Sequence, residues 1–201
     1  MTKRTPGRPK VKAEMNITRE RISTTAAHLF LTYGYESVSM QQVAEASNVT
    51  KASVYYYFKD KATLFTKAVS SMFQRITTRV EELLQSSKGL KERLYEVVLE
   101  HLKRPHVDFE TLLQEASSSL SEDHISEIRK SEQYIHQALE GIFKQAVENG
   151  EIVTTSPLLL AHAFSNVTMI RNKTELITEL GGYEKTAQAL VELFWIGIGP
   201  K

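Results

Sequence analysis

The sequence predicts an all-α protein, and three observations carry that expectation. Glycine and proline together supply only fourteen of 201 residues, about 7% against a usual ~12%, too few for the turns of a sandwich or barrel. Apolar residues recur at spacings of three and four along most of the chain. The interruptions fall at residue types that cap helices rather than at hairpin turns. No convincing strand and no internal repeat is found, and about nine helices are expected.

Thr18 is placed to cap a first helix whose stripe is Ile22, Ala26, Leu29, Phe30 and Tyr33, with Gly34 ending it in a left-handed turn. Ser39 and Gln42 have the spacing of a capping box, and Val38 and Val43 that of a hydrophobic staple, so a second helix starts near Met40. It reaches only to about Ser47, because Asn48 tolerates left-handed geometry and Thr50 offers the next cap, with Val49 and Val54 repeating the staple. Asp60 caps a helix of more than twenty residues that stops at Ser86-Ser87-Lys88-Gly89. Amphipathic stretches follow at about 90–103, 107–118 and 122–148. Ser156-Pro157 opens a helix to about 180, and Gly181-Gly182 separates it from a last one at 184–197. Residues 1–14 are expected to be a flexible basic arm, residues 15–62 a first domain and residues 63–201 a second.

Several classes of function are excluded at this level. The chain has no cysteine, which removes disulfides, thiolate metal sites and cysteine nucleophiles and fits a cytoplasmic location. The basic start lacks the apolar stretch of a signal peptide, and the longest uncharged run, 152–170, holds Pro157, His162 and Asn166, so no membrane span is expected. There is no phosphate-binding glycine loop and no HExxH, and the histidines lack metal-ligand spacing. No catalytic constellation, metal or cofactor is expected, and the chain is read as not an enzyme.

Net charge is +1, but it is unevenly spread. Residues 1–62 hold ten Lys or Arg against five acids, while the remainder has fifteen against nineteen. A basic end of this kind suits nucleic acid. The two short helices inside it form a helix-turn-helix pattern, whose second helix enters the major groove. At about 100° per residue, Val54 and Phe58 fall together as the buried side. Ala52 and Tyr56 then point away, with Ser53 and Tyr55 beside them and Tyr57 at the margin. Thr50 and Lys51 stand at a helix N-terminus, where phosphates are favoured. Ala52 lets the helix approach base edges, and the phenols offer hydroxyls to phosphates and ring faces to sugars or bases. Ser39 and Lys61, at two further helix starts, clamp the backbone from outside the groove. For the tyrosines the bland alternative is a partly buried patch supporting the turn.

The segments Val38-Ser39-Met40-Gln41-Gln42-Val43-Ala44 and Val49-Thr50-Lys51-Ala52-Ser53-Val54-Tyr55-Tyr56-Tyr57-Phe58-Lys59-Asp60-Lys61, followed by Leu64-Phe65, closely resemble the DNA-binding domain of TetR-family transcriptional repressors. The resemblance covers about Thr18 to Phe65. It implies that Ser39, Gln41, Thr50, Lys51, Ala52, Tyr55, Tyr56, Tyr57 and Lys61 contact DNA. Asn48 and Ala52 stand where many members have glycine. Arg8, in Pro6-Gly7-Arg8-Pro9, resembles the arginine of short arms that enter narrow A·T-rich minor grooves.

The family further implies a homodimer that represses transcription from a near-palindromic DNA operator and leaves it when a small-molecule inducer enters the C-terminal helices. The alternative is an architectural DNA binder, indifferent to sequence and without a ligand. His101, His162 and Asn166 are the first candidates for polar groups in a ligand pocket, although a hydrogen-bonded core role is the plainer reading of the histidines. Leu190, Val191, Phe194 and Trp195 on the final helix are candidates for the dimer seam, with the intramolecular core as the alternative.

Overall fold

The computed structural model describes residues 9–104 and 109–200. Among them there is no strand: ten α-helices and two 3-10 turns account for all regular structure. The fold is all-α as expected, with the helix-turn-helix near the N-terminus and a helical C-terminal part. The helices are α1 Pro9–Tyr33, α2 Met40–Ala46, α3 Lys51–Tyr57, α4 Lys61–Leu84, α5 Leu90–Leu102, α6 Phe109–Ala116, α7 Glu122–Glu148, α8 Pro157–Val167, α9 Thr174–Glu179 and α10 Tyr183–Ile198. No helix among the described residues is long and apolar enough to cross a membrane.

Two elements differ from the sequence expectation. Helix α1 spans Pro9–Tyr33 of the described residues, so Thr18 lies inside it rather than capping it. No glycine or proline interrupts Lys10 to Tyr33. The single helix expected over 157–180 is broken: α8 ends at Val167, a 3-10 turn spans Thr168–Asn172, and α9 follows. Val167, Thr168 and Ile170 are β-branched and weak helix formers, and the chain tightens there before Lys173 leaves helical geometry. This break makes the count ten instead of nine.

The chain divides into two compact units. The first comprises residues up to Met72 together with the described part of 107–129, and the second comprises 73–104 and 130–200. In the first unit, Ile22, Ala26 and Phe30 of α1, Val43 of α2, Val54 of α3 and Leu64 and Phe65 of α4 are fully withdrawn from water. Fully burying a Val, Leu, Ile or Phe side chain contributes roughly 1.5–3 kcal/mol. The rings of Phe30, Tyr35 and Phe65 meet at 5.1–5.8 Å between centroids. Helix α6 packs on α1, and Ser119 lies beside the Tyr35 side chain. Lys67 of α4 holds Glu127 of α7 at 2.8 Å.

The second unit has its own core. Leu94, Val98 and Leu102 of α5, Phe143 of α7, Phe164 of α8 and Val191 of α10 are all buried in it. Phe143, Phe164 and Phe194 form a triangle of rings 5.3–6.0 Å apart, within the range of favourable aromatic contact. Helix α10 lies along α5, and two glycines in left-handed geometry, Gly181 (φ 91°) and Gly182 (φ 101°), turn the chain from α9 into it.

Candidate nucleic-acid interface

The two helices of the helix-turn-helix are seven residues each, too short to persist alone in water. Local caps and the core beneath hold them. The Gln42 N–H donates to Ser39 Oγ at 3.2 Å, and the Ser39 N–H donates to Gln42 Oε1 at 2.8 Å, which completes the capping box. Val38 and Val43, the staple pair, are both buried. Helix α2 closes at its C-cap Ser47; Asn48 beyond it adopts φ 52°, and the Val49 N–H returns to the Ala44 carbonyl at 3.0 Å. Thr50 then caps α3, accepting from the Ser53 N–H at 3.1 Å and sharing a 2.8 Å hydrogen bond with the Ser53 hydroxyl. Asp60 accepts from the Thr63 N–H at 2.7 Å at the start of α4, and this hydrogen bond is the main cause holding its carboxyl below the ordinary range.

The angular reading of α3 matches its observed faces. Val54 and Phe58 are buried, whereas Lys51, Ala52, Tyr55 and Tyr56 are exposed and Ser53 and Tyr57 half-buried. Tyr56 keeps 71% of its surface open, the most of the three tyrosines. Tyr57 meets it edge to face at 5.1 Å, which stiffens the pair without hiding it. Arg19 of α1 lies 5.9 Å from the ring centre of Phe58, a cation over the aromatic that seats the helix.

The flanking candidates are more engaged than the sequence suggests. Gln41 is exposed, and its side-chain N–H donates to Glu45 at 2.6 Å. Lys61 donates through Nζ to the Glu36 carbonyl at 3.2 Å and lies 4.3 Å from the ring centre of Tyr35. Burial lowers its pKa, and Glu36 opposes that shift. Neither partner was legible in the sequence, since both come from packing. Arg8 lies outside the described residues. The structure thus brings Thr50, Lys51, Ala52, Ser53, Tyr55, Tyr56 and Tyr57 onto one short helix, with Ser39 and Gln41 at the start of the helix before it.

The remaining candidates fall in the second unit. Leu190 and Val191 are buried in its core, so the intramolecular reading holds for them. Phe194 and Trp195 are half-buried against the same core. The apolar residues that α10 turns outward are Leu193 and Ile196, 70% and 81% exposed, and α8 adds Leu158 and Leu159. From Ala189 to Ile198 the only polar side chain of α10 is Glu192, so periodicity alone separates its inner side from its outer one poorly there.

His162 and Asn166 are neighbours on α8, with the Asn166 amide donating to the His162 carbonyl at 2.9 Å. His162 stacks on His136 of α7, a residue the sequence reading passed over, with centroids 4.6 Å apart. His136 Nδ1 is 3.3 Å from the Ser165 hydroxyl. His101 is half-buried on α5. None of the three pocket candidates lines the cavity of about 510 Å³ bounded by Gln74, Thr77, Thr78, Glu81, Tyr134, Gln137 and Ala138.

Comparison with known proteins agrees with this architecture. Residues 22–68 match the family model "Bacterial regulatory proteins, tetR family". The chain is similar to the uncharacterized HTH-type transcriptional regulator YhgD of Bacillus subtilis (strain 168), 24% identical over 152 residues, 73% of this chain and 78% of that one. Other curated regulators are matched over less than half of their own length. Among solved structures, FadR from Bacillus subtilis in complex with stearoyl-CoA superposes with a TM-score of 0.68 at 18% identity, over 87% of this chain and 96% of that one. AibR in complex with isovaleryl coenzyme A and operator DNA superposes with a TM-score of 0.58 at 22% identity, over 88% and 97%. At these identities the likeness is one of fold.

Proposed function

Because the chain belongs to the tetR family of bacterial regulatory proteins, we propose that it is a homodimeric, sequence-specific transcriptional repressor that leaves a near-palindromic operator when a small molecule binds. The observation that carries this reading is Tyr56, held outward on a helix whose opposite side, Val54 and Phe58, is locked in the core. Tyr55 and Tyr56 together expose adjacent aromatic surface opposite the core, and a contiguous apolar patch of this kind suits an interaction surface.

In this reading residues 15–62 read DNA, and residues 63–201 hold the ligand and pair the subunits. Ala52, Ser53, Tyr55 and Tyr56 face the major groove. Ser39, Gln41, Thr50, Lys51, Tyr57 and Lys61 position the backbone, and Arg8 reaches the adjacent minor groove. Two such helices read half-sites one helical turn apart, about 34–36 Å. The outward apolar residues Leu193 and Ile196 of α10 with Leu158 and Leu159 of α8 support a pairing surface in the second unit. The acyl-CoA complexes of AibR and FadR support a small-molecule effector. Release is a population shift: a ligand that fits only the conformation unable to span both half-sites lowers operator affinity, and a coupling of about 1–3 kcal/mol gives 5- to 150-fold release.

The test is fluorescence anisotropy of the full chain on the region upstream of its own gene, at physiological salt, against random DNA of equal length. A preference for one near-palindrome is expected. Equal affinity for every sequence with a steep salt slope would identify an architectural binder instead.

A further inference from the structure

Arg171 lies in the 3-10 turn Thr168–Asn172, which packs on α5. The side chain is half-buried, and its Nε is sealed from solvent without a hydrogen-bond partner. No carboxylate of the described residues pairs with it. The charged group that acts on it is another cation, Arg104, just past the C-terminal end of α5. Burial first, and then the like charge of Arg104, push the Arg171 guanidinium below its ordinary pKa. A guanidinium nevertheless stays protonated throughout the physiological range. The second unit therefore carries a partly desolvated positive charge beside a second positive charge.

Among the described residues, the surrounding ion pairs do not supply a counter-charge. Arg104 holds Glu100 at 3.2 Å, and Glu100 is also 3.8 Å from Arg79, which pairs with Glu82 at 3.2 Å. Among the described residues, Arg79 and Arg104 share Glu82 and Glu100, and Arg171, the third guanidinium of this neighbourhood, has no ion pair. A buried charge is costly unless it is paired and hydrogen-bonded. The planar fork of arginine matches carboxylate and phosphate oxygens with two parallel hydrogen bonds. Ile170, the residue before Arg171, is partly buried against the core, so apolar surface adjoins the cationic residue. The cavity bounded by Gln74 and Tyr134 offers the opposite chemistry, since its single lining charge is the Glu81 carboxylate.

We propose that Arg171, with Arg104 beside it, is an anion-binding site that takes the carboxylate or phosphate group of a small amphipathic effector. Its role as an effector site rests on the repressor reading above, whereas the binding itself does not.

The experiment is thermal unfolding of the full chain with increasing sodium octanoate or sodium pyrophosphate, each against sodium chloride at equal ionic strength. A saturating rise in Tm is expected with at least one probe, because a ligand of the native state stabilises it by mass action. Octanoate alone would identify a carboxylate site and pyrophosphate alone a phosphate site, both within the proposal. Arg171→Met is expected to unfold at or above the wild-type Tm without probe, since it removes an unpaired charge, and to lose the saturating rise. Arg104→Met, at the end of a helix, is expected to weaken the apparent affinity about tenfold or more. No rise beyond that of chloride in the wild type, or an undiminished rise in both variants, would overturn the site. A normal probe response in a protein that prefers no operator would leave this site standing and remove the repressor reading.

Discussion

The Lys61 ammonium at the start of α4 donates to the main-chain carbonyl of Glu36 at 3.2 Å. It thereby ties α4 to the connection between α1 and α2, and the same nitrogen lies over the Tyr35 ring. Lys61→Met is expected to lower stability by about 1 kcal/mol or less, since the group is partly exposed and such bonds give modest net gains. It is also expected to weaken DNA binding alike on all sequences and to reduce the salt slope by about 1, as loss of one phosphate contact does. Denaturant titration and anisotropy at three salt concentrations check both parts.

Tyr56→Ala removes an exposed ring that supports no core residue. Operator binding is expected to fall by at least tenfold, a loss of about 1.4 kcal/mol or more, consistent with the 1–3 kcal/mol of stacked aromatic contacts. Far-ultraviolet circular dichroism and Tm should stay at wild-type values. A collapse of the fold would instead make the ring a structural one.

Asn48 sits at φ 52°, where a β-branched side chain is strained by about 1–2 kcal/mol. Asn48→Val is expected to destabilise the chain by that amount, while Asn48→Gly should fall within about 0.5 kcal/mol of the wild type. Equal stability of the two variants in urea would count against the turn described for α2 and α3.

The pair Leu193→Glu and Ile196→Glu places charges on the outward side of α10. The double variant is expected to be monomeric by light scattering, to keep its helicity, and to bind the operator far more weakly than the wild type. A dimer of unchanged mass would move the pairing surface elsewhere.

Burial, followed by the neighbouring charge of His162, holds the His136 imidazole below its ordinary value of 6.5, with Glu132 opposing. The folded chain therefore favours the neutral ring. Its contribution to stability is complete above about pH 6.5, the unfolded value, and is lost as pH falls from there to the lower folded value, below which it levels off. Tm measured between pH 8 and 5 should show this decline in the wild type, and His136→Gln should flatten it. The Asp60 carboxyl, held below 3.8, titrates outside that window.

The helix-turn-helix was legible because its determinants are local. Ser39 with Gln42, Thr50 with Ser53, and Asn48 between them act within a few residues, and Val54 with Phe58 set the face of α3 by spacing alone. What depends on packing between distant segments was not legible. His136 meets His162 only because α7 and α8 lie together. Leu190 and Val191 face inward only because α5 and Phe143 occupy that side of α10. The break after Val167 was hidden by a run whose apolar pattern continues although its helix-forming tendency fails.

Tyr35 with Ser119 beside it, the approach of Glu115 to Gly34, and the Lys67–Glu127 pair all join the front of the chain to a stretch that comes fifty or more residues later. A fusion that transplants only the first eighty-four residues onto a foreign sensor would strip away that support. Such a chimera should melt earlier and read its site poorly, whereas one that carries Phe109 to Arg129 along with it would keep a complete scaffold. For this chain, the complete support of the helix-turn-helix is two stretches of sequence rather than one.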